Sequence, residues 1–197
     1  MVSIIIPVIR PAAATRCIVA ITENAGIPHD QYEIVTETDT ERIGCPRMVR
    51  RLVARTSGDL VCFLGDDTIP QPYFLKNALA AMATLPDGWG LVGFNDQHHD
   101  GNVLATHWLA DKRLLLYLDG EFFHTGYWHC YCDGELTLRC QQLGRYVWAK
   151  DAVIEHDHPL FKNEQLAGDY ARVYSSKYVW HDKALFIQRN QQRGAIQ

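Results

Sequence analysis

The sequence predicts an α/β domain built on a mostly parallel sheet with helices on both faces. Two observations carry this. The runs Val2–Val8 and Leu60–Leu64 are apolar and rich in β-branched residues without alternation, as strands covered on both faces are. Helix-length segments separate the strand candidates up to residue 95, in a βαβαβαβ rhythm that places helices on both sides of a sheet.

The elements follow in order. Val2–Val8 is a buried strand whose end is marked by Pro7 and Pro11. Ala12–Asn24 is a helix stopped by Gly26 and Pro28, and Tyr32–Thr36 is a second strand. Gly44-Cys45-Pro46 precedes a helix over Arg47–Ser57, with Met48, Val49, Leu52 and Val53 on one face and arginines on the rest. Leu60–Leu64 is the third strand, followed by a helix over Tyr73–Leu85 and a strand at Leu91–Phe94. Beyond Asn95 the pattern is irregular and few long helices are expected. Leu136–Leu143 is helical, Tyr146–Ala149 and Ala152–Glu155 are extended, and the polar tail from Gln188 is expected to be mobile.

With 197 residues, 47% hydrophobic and 21% charged, the chain is an ordinary globular protein, which excludes disorder and low complexity. The net charge of −4 is shared equally by the halves on either side of Asn95, so neither is a basic nucleic-acid module. The apolar start has no cationic prelude or small-residue cleavage site, and no run approaches the roughly 18–20 apolar residues of a membrane span. A cytoplasmic protein without a membrane span is expected, with its six cysteines as thiols. Their spacing matches no common zinc site.

Three constellations carry chemistry. Gly65-Asp66-Asp67-Thr68 ends a parallel strand, the edge where open α/β sheets bind ligands. Adjacent carboxylates repel unless a positive group joins them, and a hard divalent cation carrying phosphates does so; Asp and Thr also serve in turns and helix caps. Cys132-Asp133-Gly134-Glu135 opens a helix, as a cap or as a pair holding a general base. Glu155-His156-Asp157-His158-Pro159 places two imidazoles on one side of an extended segment, a donor set that manganese accepts better than magnesium. Seven of the nine histidines fall between His98 and His158.

VSIIIPVIRP, SGDLVCFLGDDTIPQPYFL, CDGELTLRCQQLG and AVIEHDHP, in this order, resemble the GT-A glycosyltransferases of the family 2 type. The resemblance spans residues 2 to 160 and implies a Rossmann-like GT-A nucleotide-diphospho-sugar transferase fold. One GT-A domain over 1–197 follows, with a nucleotide-sugar-binding half (1–95), an acceptor and catalytic half (96–160) and a C-terminal extension (161–197). By the resemblance Asp67 is the metal ligand, with Mn2+ or Mg2+ as cofactor, and Asp66 contacts the ribose or the donor sugar. The family often has a third acid where this chain has Gly65. Asp133 is the base, with Glu135 as the fallback, and His156 or His158 completes the metal shell. Pro7, Ile9, Arg10, Glu37 and Asp39 hold the nucleotide. Arg47 and Arg50 reach the diphosphate or the base, or else form a solvated face.

The aromatic stretch around Trp128, with Trp108, is the expected acceptor wall or a core. The loop His98–Thr106 or the tail is expected to close over the donor. The implied activity is inverting transfer from a nucleotide-diphosphate sugar, a UDP-sugar being favoured, to a glycan or to a hydroxymethylated pyrimidine of viral DNA. In the DNA case the QRNQQRG tail and Arg47–Arg55 would contact phosphates. A nucleotidyltransferase, whose glycine-rich phosphate loop PVIRPAAATR lacks, and a non-catalytic nucleotide-sugar module are the alternatives.

Overall fold

The computed structural model describes residues 1–194. The order along the chain is β1 (Val2–Val8), α1 (Pro11–Asn24), β2 (Tyr32–Thr38), α2 (Cys45–Val53), β3 (Leu60–Phe63), β4 (Thr68–Pro70), α3 (Phe74–Met82), β5 (Leu91–Asn95), β6 (Trp108–Asp111), α4 (Cys132–Gln142), β7 (Tyr146–His156), α5 (Gly168–Val173) and α6 (Ser176–Gln192). The strands form one sheet in the order β2-β1-β3-β6-β5-β7-β4. β1, β2, β3, β5 and β7 share one direction, while β6 and β4 run against it.

Both faces are covered, as the unalternated strands require. Ile4 and Ile6 of β1 point into a core with Cys17 and Ile21 of α1 and Phe74 and Ala78 of α3. Ile5, between them, points to the other side, against Val49 and Leu52 of α2, Trp108 of β6 and Leu136 of α4. Period-two alternation in a strand whose one polar residue is Ser3 thus feeds two cores at once.

The second half departs from expectation in three places. β7 is one strand, not two: its register with β5 jumps from Phe94 opposite Ala149 to Asn95 opposite Val153. The extra residues loop out as a bulge whose carbonyls are met by side chains, Asn95 Nδ2 donating to Lys150 O (2.9 Å) and Asn77 Nδ2 to Asp151 O (2.7 Å). Long helices are present, α4 having 11 residues and α6 having 17. The tail from Gln188 is mostly the last turn of α6, held by ion pairs that sequence periodicity does not reveal; positions 195–197 lie outside the described residues.

Those pairs centre on Glu135 of α4, which is 3% exposed. It accepts from Tyr127 Oη (2.5 Å), Arg189 Nε (2.8 Å) and Arg193 Nη1 (2.6 Å). Asp182 of α6, with no exposed surface, accepts the backbone N–H groups of Trp128, His129 and Cys130, each at 2.8 Å. This anchors the turn that launches α4. All six cysteines are free thiols, and no described helix is long and apolar enough to cross a membrane.

Asp182→Ala leaves three backbone donors without their acceptor. A loss of about 3–5 kcal/mol in unfolding free energy is expected, and a smaller loss for Asp182→Asn, as read by urea denaturation.

Candidate active site

The carboxyl ends of β1, β3 and β5 face a cavity of about 570 Å3, closed on the far side by α4, α5 and the segment after β7. Tertiary contacts bring distant motifs to it. Thr68 of β4 pairs with His156 of β7, so Asp67 and His156 become neighbours, and Asp157 N–H donates to Asp67 O (2.8 Å). β6 runs backwards beside β3, with Phe63 opposite Trp108, and delivers His107 to the same edge.

Asp66 and Asp67 are 3% and 6% exposed. Asp66 Oδ2 accepts the N–H groups of Ile9 (2.8 Å) and Arg10 (2.7 Å), where α1 begins, and Oδ1 accepts from the Arg10 guanidinium. Its charge meets the unpaired donors and the dipole of a helix N-terminus. Asp67 Oδ2 takes Tyr170 Oη (2.6 Å) and Arg10 Nη1 (3.1 Å), while Oδ1 faces His156 Nε2 at 3.7 Å. Burial works against ionisation of Asp67, but the His156 ring and Arg10 outweigh it and hold the carboxyl well below the usual range. Arg10 also stacks on Tyr170, 4.3 Å from the ring centre.

Gly65 has a steric reason to be glycine. A Cβ there would lie 2.8 Å from Asp67 Oδ1 and 3.1 Å from His107 Nε2. His107 therefore occupies the space into which a third acidic side chain would project. Its ring stacks on Phe63, and Thr106 Oγ1 meets Nδ1 at 3.1 Å. Burial pushes its pKa down to about 3, and burial brings His158 and His129 to about 4. These imidazoles are neutral at pH 7.

A divalent cation fits at Asp67 Oδ1 and His156 Nε2. Their separation is too long for a hydrogen bond, and His156 Nδ1 is buried without a partner. Among the described residues no group of three or more such donors stands ready around one point, so phosphate oxygens and water would fill the remaining positions. His158 lines the cavity from outside β7, its Nδ1 accepting from Leu160 N–H (3.2 Å).

Asp133, the second residue of α4, also lines the cavity. Its carboxylate accepts from Gly134 N–H (2.9 Å), it has no ion pair among the described residues, and burial raises its pKa above the ordinary aspartate value. Glu135, the fallback base, is consumed by Tyr127, Arg189 and Arg193.

Pro7, Ile9, Arg10 and Asp39 line the cavity as well, Asp39 while accepting from Ile43 N–H and Gly44 N–H, both at 2.9 Å. Four other candidates lie elsewhere. Glu37 is held by Arg51 and Arg55, each at 2.7 Å. Arg47 and Arg50 point outward because Met48, Val49 and Leu52 fill the inner face of α2; Arg50 has only Glu121, at 3.8 Å. Trp128 stacks on His181 of α6 at 3.7 Å. The aromatic stretch is core: Trp108 and Tyr127 have no exposed surface, and of Phe122 and Phe123 only Phe123 borders the cavity. Sequence reasoning missed His107, His99, Tyr170 and Tyr174 of the lining; the density of histidines pointed towards the first two, and no motif marks the tyrosines.

No family model and no curated protein matches the sequence. Solved structures do. The mannosyltransferase PcManGT from Pyrobaculum calidifontis, in complex with GDP-Man and Mn2+, superposes with a TM-score of 0.71 at 16% identity over 95% of this chain. The fold is that of a GT-A-like glycosyltransferase. S. aureus TarS 1-349 shares this glycosyltransferase fold, in complex with UDP (TM-score 0.61, 15% identity, 76% of this chain) and with UDP-GlcNAc (0.60, 14%, 96%). The chain spans 64% of PcManGT and 58% of the UDP-bound TarS chain.

Gly65→Ala must displace the Asp67 carboxylate or the His107 ring. A loss of about 1–3 kcal/mol is expected, seen as a lower Tm in thermal unfolding.

Proposed function

We propose that this chain is an inverting, divalent-cation-assisted glycosyltransferase that moves a sugar from a nucleoside-diphosphate sugar to an acceptor hydroxyl. The observation that carries the reading is a half-buried carboxylate, Asp133, without an ion pair among the described residues, in the same cavity as the Asp67–His156 pair. A general base needs an oxygen free to take a proton, and Asp133 has one where Glu135 does not.

Asp133 accepts the proton of the acceptor hydroxyl, the oxygen attacks the anomeric carbon from the face opposite the diphosphate, and the bond to the diphosphate breaks. Asp67 and His156 would hold Mn2+ or Mg2+, which when bound neutralises charge on the diphosphate. Asp66 keeps the β1–α1 junction in place, so that Pro7 and Ile9 border the nucleotide. Arg10 and Tyr170, which occupy Asp67 Oδ2 here, are the side chains that rearrange as the diphosphate enters.

The fold's neighbours hold GDP-Man, UDP and UDP-GlcNAc, which makes guanosine and uridine donors the first to test. A glycan is the favoured acceptor. Four of the six arginines on which recognition of DNA would rely are already paired, Arg189 and Arg193 with Glu135 and Arg51 and Arg55 with Glu37, which leaves Arg47 and Arg50 facing outward. A nucleotidyltransferase is disfavoured because the β1–α1 turn has no glycine nest for a triphosphate.

Asp133→Asn is expected to lower sugar transfer by about 10²–10⁴-fold while preserving the thermal shift given by UDP or GDP with Mn2+. Transfer that survives the change overturns the base assignment. Asp67→Ala should remove the Mn2+-dependent part of that shift. The base works ionised and its pKa is raised, so kcat should fall as pH drops through a value above the ordinary ~3.9 of aspartate; His99 and Asp96 are the other charged groups acting on it. Rate measurements from pH 4 to 8 read this limb.

A further inference from the structure

The loop after β5 carries a buried carboxylate–imidazole pair that the mechanism above does not use. Asp96 is 2% exposed. Its Oδ1 accepts the N–H groups of His98 (3.0 Å) and His99 (2.8 Å), and its Oδ2 meets Thr106 Oγ1 (2.8 Å) and His99 Nδ1 (2.6 Å). Burial opposes ionisation of Asp96, yet these hydrogen bonds hold its carboxyl well below the usual range. An ionised carboxylate has no proton to give, so Nδ1–H of His99 is the donor. The other ring nitrogen, Nε2, has no hydrogen-bond partner among the described residues, and His99 lines the cavity that holds Asp133.

The loop is tied down rather than free to close. Tyr146 Oη bonds Gly101 O, Gln141 Nε2 donates to Asn102 O (2.5 Å), and Ala105 N–H donates to Thr137 Oγ1 (3.0 Å) on α4. Gly101 lies against the Trp148 ring, where a Cβ has no room. Ring, loop and α4 thus form one fixed unit with Asp133. His99 and Asp133 line the same cavity, and the bond from Ala105 to Thr137 joins the loop of His99 to the helix of Asp133.

We propose that His99 is a substrate-contacting residue of the acceptor subsite. Its Nε2 accepts a hydrogen bond from the acceptor-sugar hydroxyl neighbouring the reacting one, and Asp96 is the positioning residue that fixes the ring by taking Nδ1–H. The acceptor is thereby a glycoside with vicinal hydroxyls, one held by His99 while the adjacent hydroxyl gives its proton to Asp133. His99 keeps its own Nδ1 proton throughout. A buried carboxylate on Nδ1 leaves Nε2 aimed and rotationally fixed, as a positioning acceptor requires.

This inference rests on the transferase reading, and the experiment separates the two. Release of nucleoside diphosphate from GDP-Man and from UDP-GlcNAc is measured against methyl mannoside and methyl N-acetylglucosaminide for the wild type, His99→Ala, His99→Gln and Asp96→Asn. In His99→Ala the KM for the stimulating glycoside is expected to rise about tenfold, the loss of one good hydrogen bond, while the donor KM moves less than twofold. His99→Gln, which keeps an acceptor oxygen in its amide, should recover part of the effect, and Asp96→Asn should fall between. The proposal is overturned by an unchanged glycoside KM, by a rise in donor KM instead, by a glutamine variant no better than alanine, or by no stimulation of the wild type by either glycoside. Failure of the underlying reading looks different: neither donor is consumed, and Asp133→Asn changes nothing.

Discussion

Asp66 and Asp67 set two adjacent carboxylates almost out of reach of water at the end of β3, where their charges must be offset by other groups. The rest of the site is arranged around that need. Asp66 spends its oxygens on the start of α1 and on Arg10, and so joins β3 to the β1–α1 junction. Asp67 draws Arg10, His156 and Tyr170 from three separate parts of the chain. The carboxylates therefore assemble the end of the sheet, and the cavity-lining residues Pro7 and Ile9 are placed by the same bonds.

On the opposite wall the balance is reversed. Glu135 has more cationic partners than it needs, and with Asp182 it fixes α4 against α6. Asp133, two residues earlier, lines the cavity half-buried at the head of that helix, with no ion pair among the described residues. Neighbouring acids on one helix thus separate by environment: Glu135 is an anchor held by arginines, while Asp133 faces the cavity without an ion pair among the described residues. That contrast is the basis of the proposed role of Asp133 as a base.

Much was legible beforehand. The unalternated runs of β1 and β3 announced a sheet covered on both faces, and Gly65-Asp66-Asp67 lay at its carboxyl edge as a ligand-binding doublet should. Asp133, His156 and His158, named from local patterns far apart in the chain, all border one cavity. Glu37, Arg47, Arg50 and Trp128 do not, for a common reason. Each has a partner or a helix face chosen by packing: Arg51 and Arg55 for Glu37, the filled inner face of α2 for the two arginines, His181 for Trp128.

Periodicity and composition are properties of neighbouring residues, so the sequence by itself determined the strands, most helices and the chemically active residue types. Register, ion pairing and the placement of the second half depend on contacts across long stretches of chain. Only the folded chain could decide that β6 runs backwards to bring in His107, that α6 is ordered by Glu135 and Asp182, and that Tyr170 reaches Asp67. The empty place at Gly65 shows both levels together. The glycine was visible in the sequence, but its reason, the Asp67 carboxylate and the His107 ring just before β6 filling the space, exists only in three dimensions.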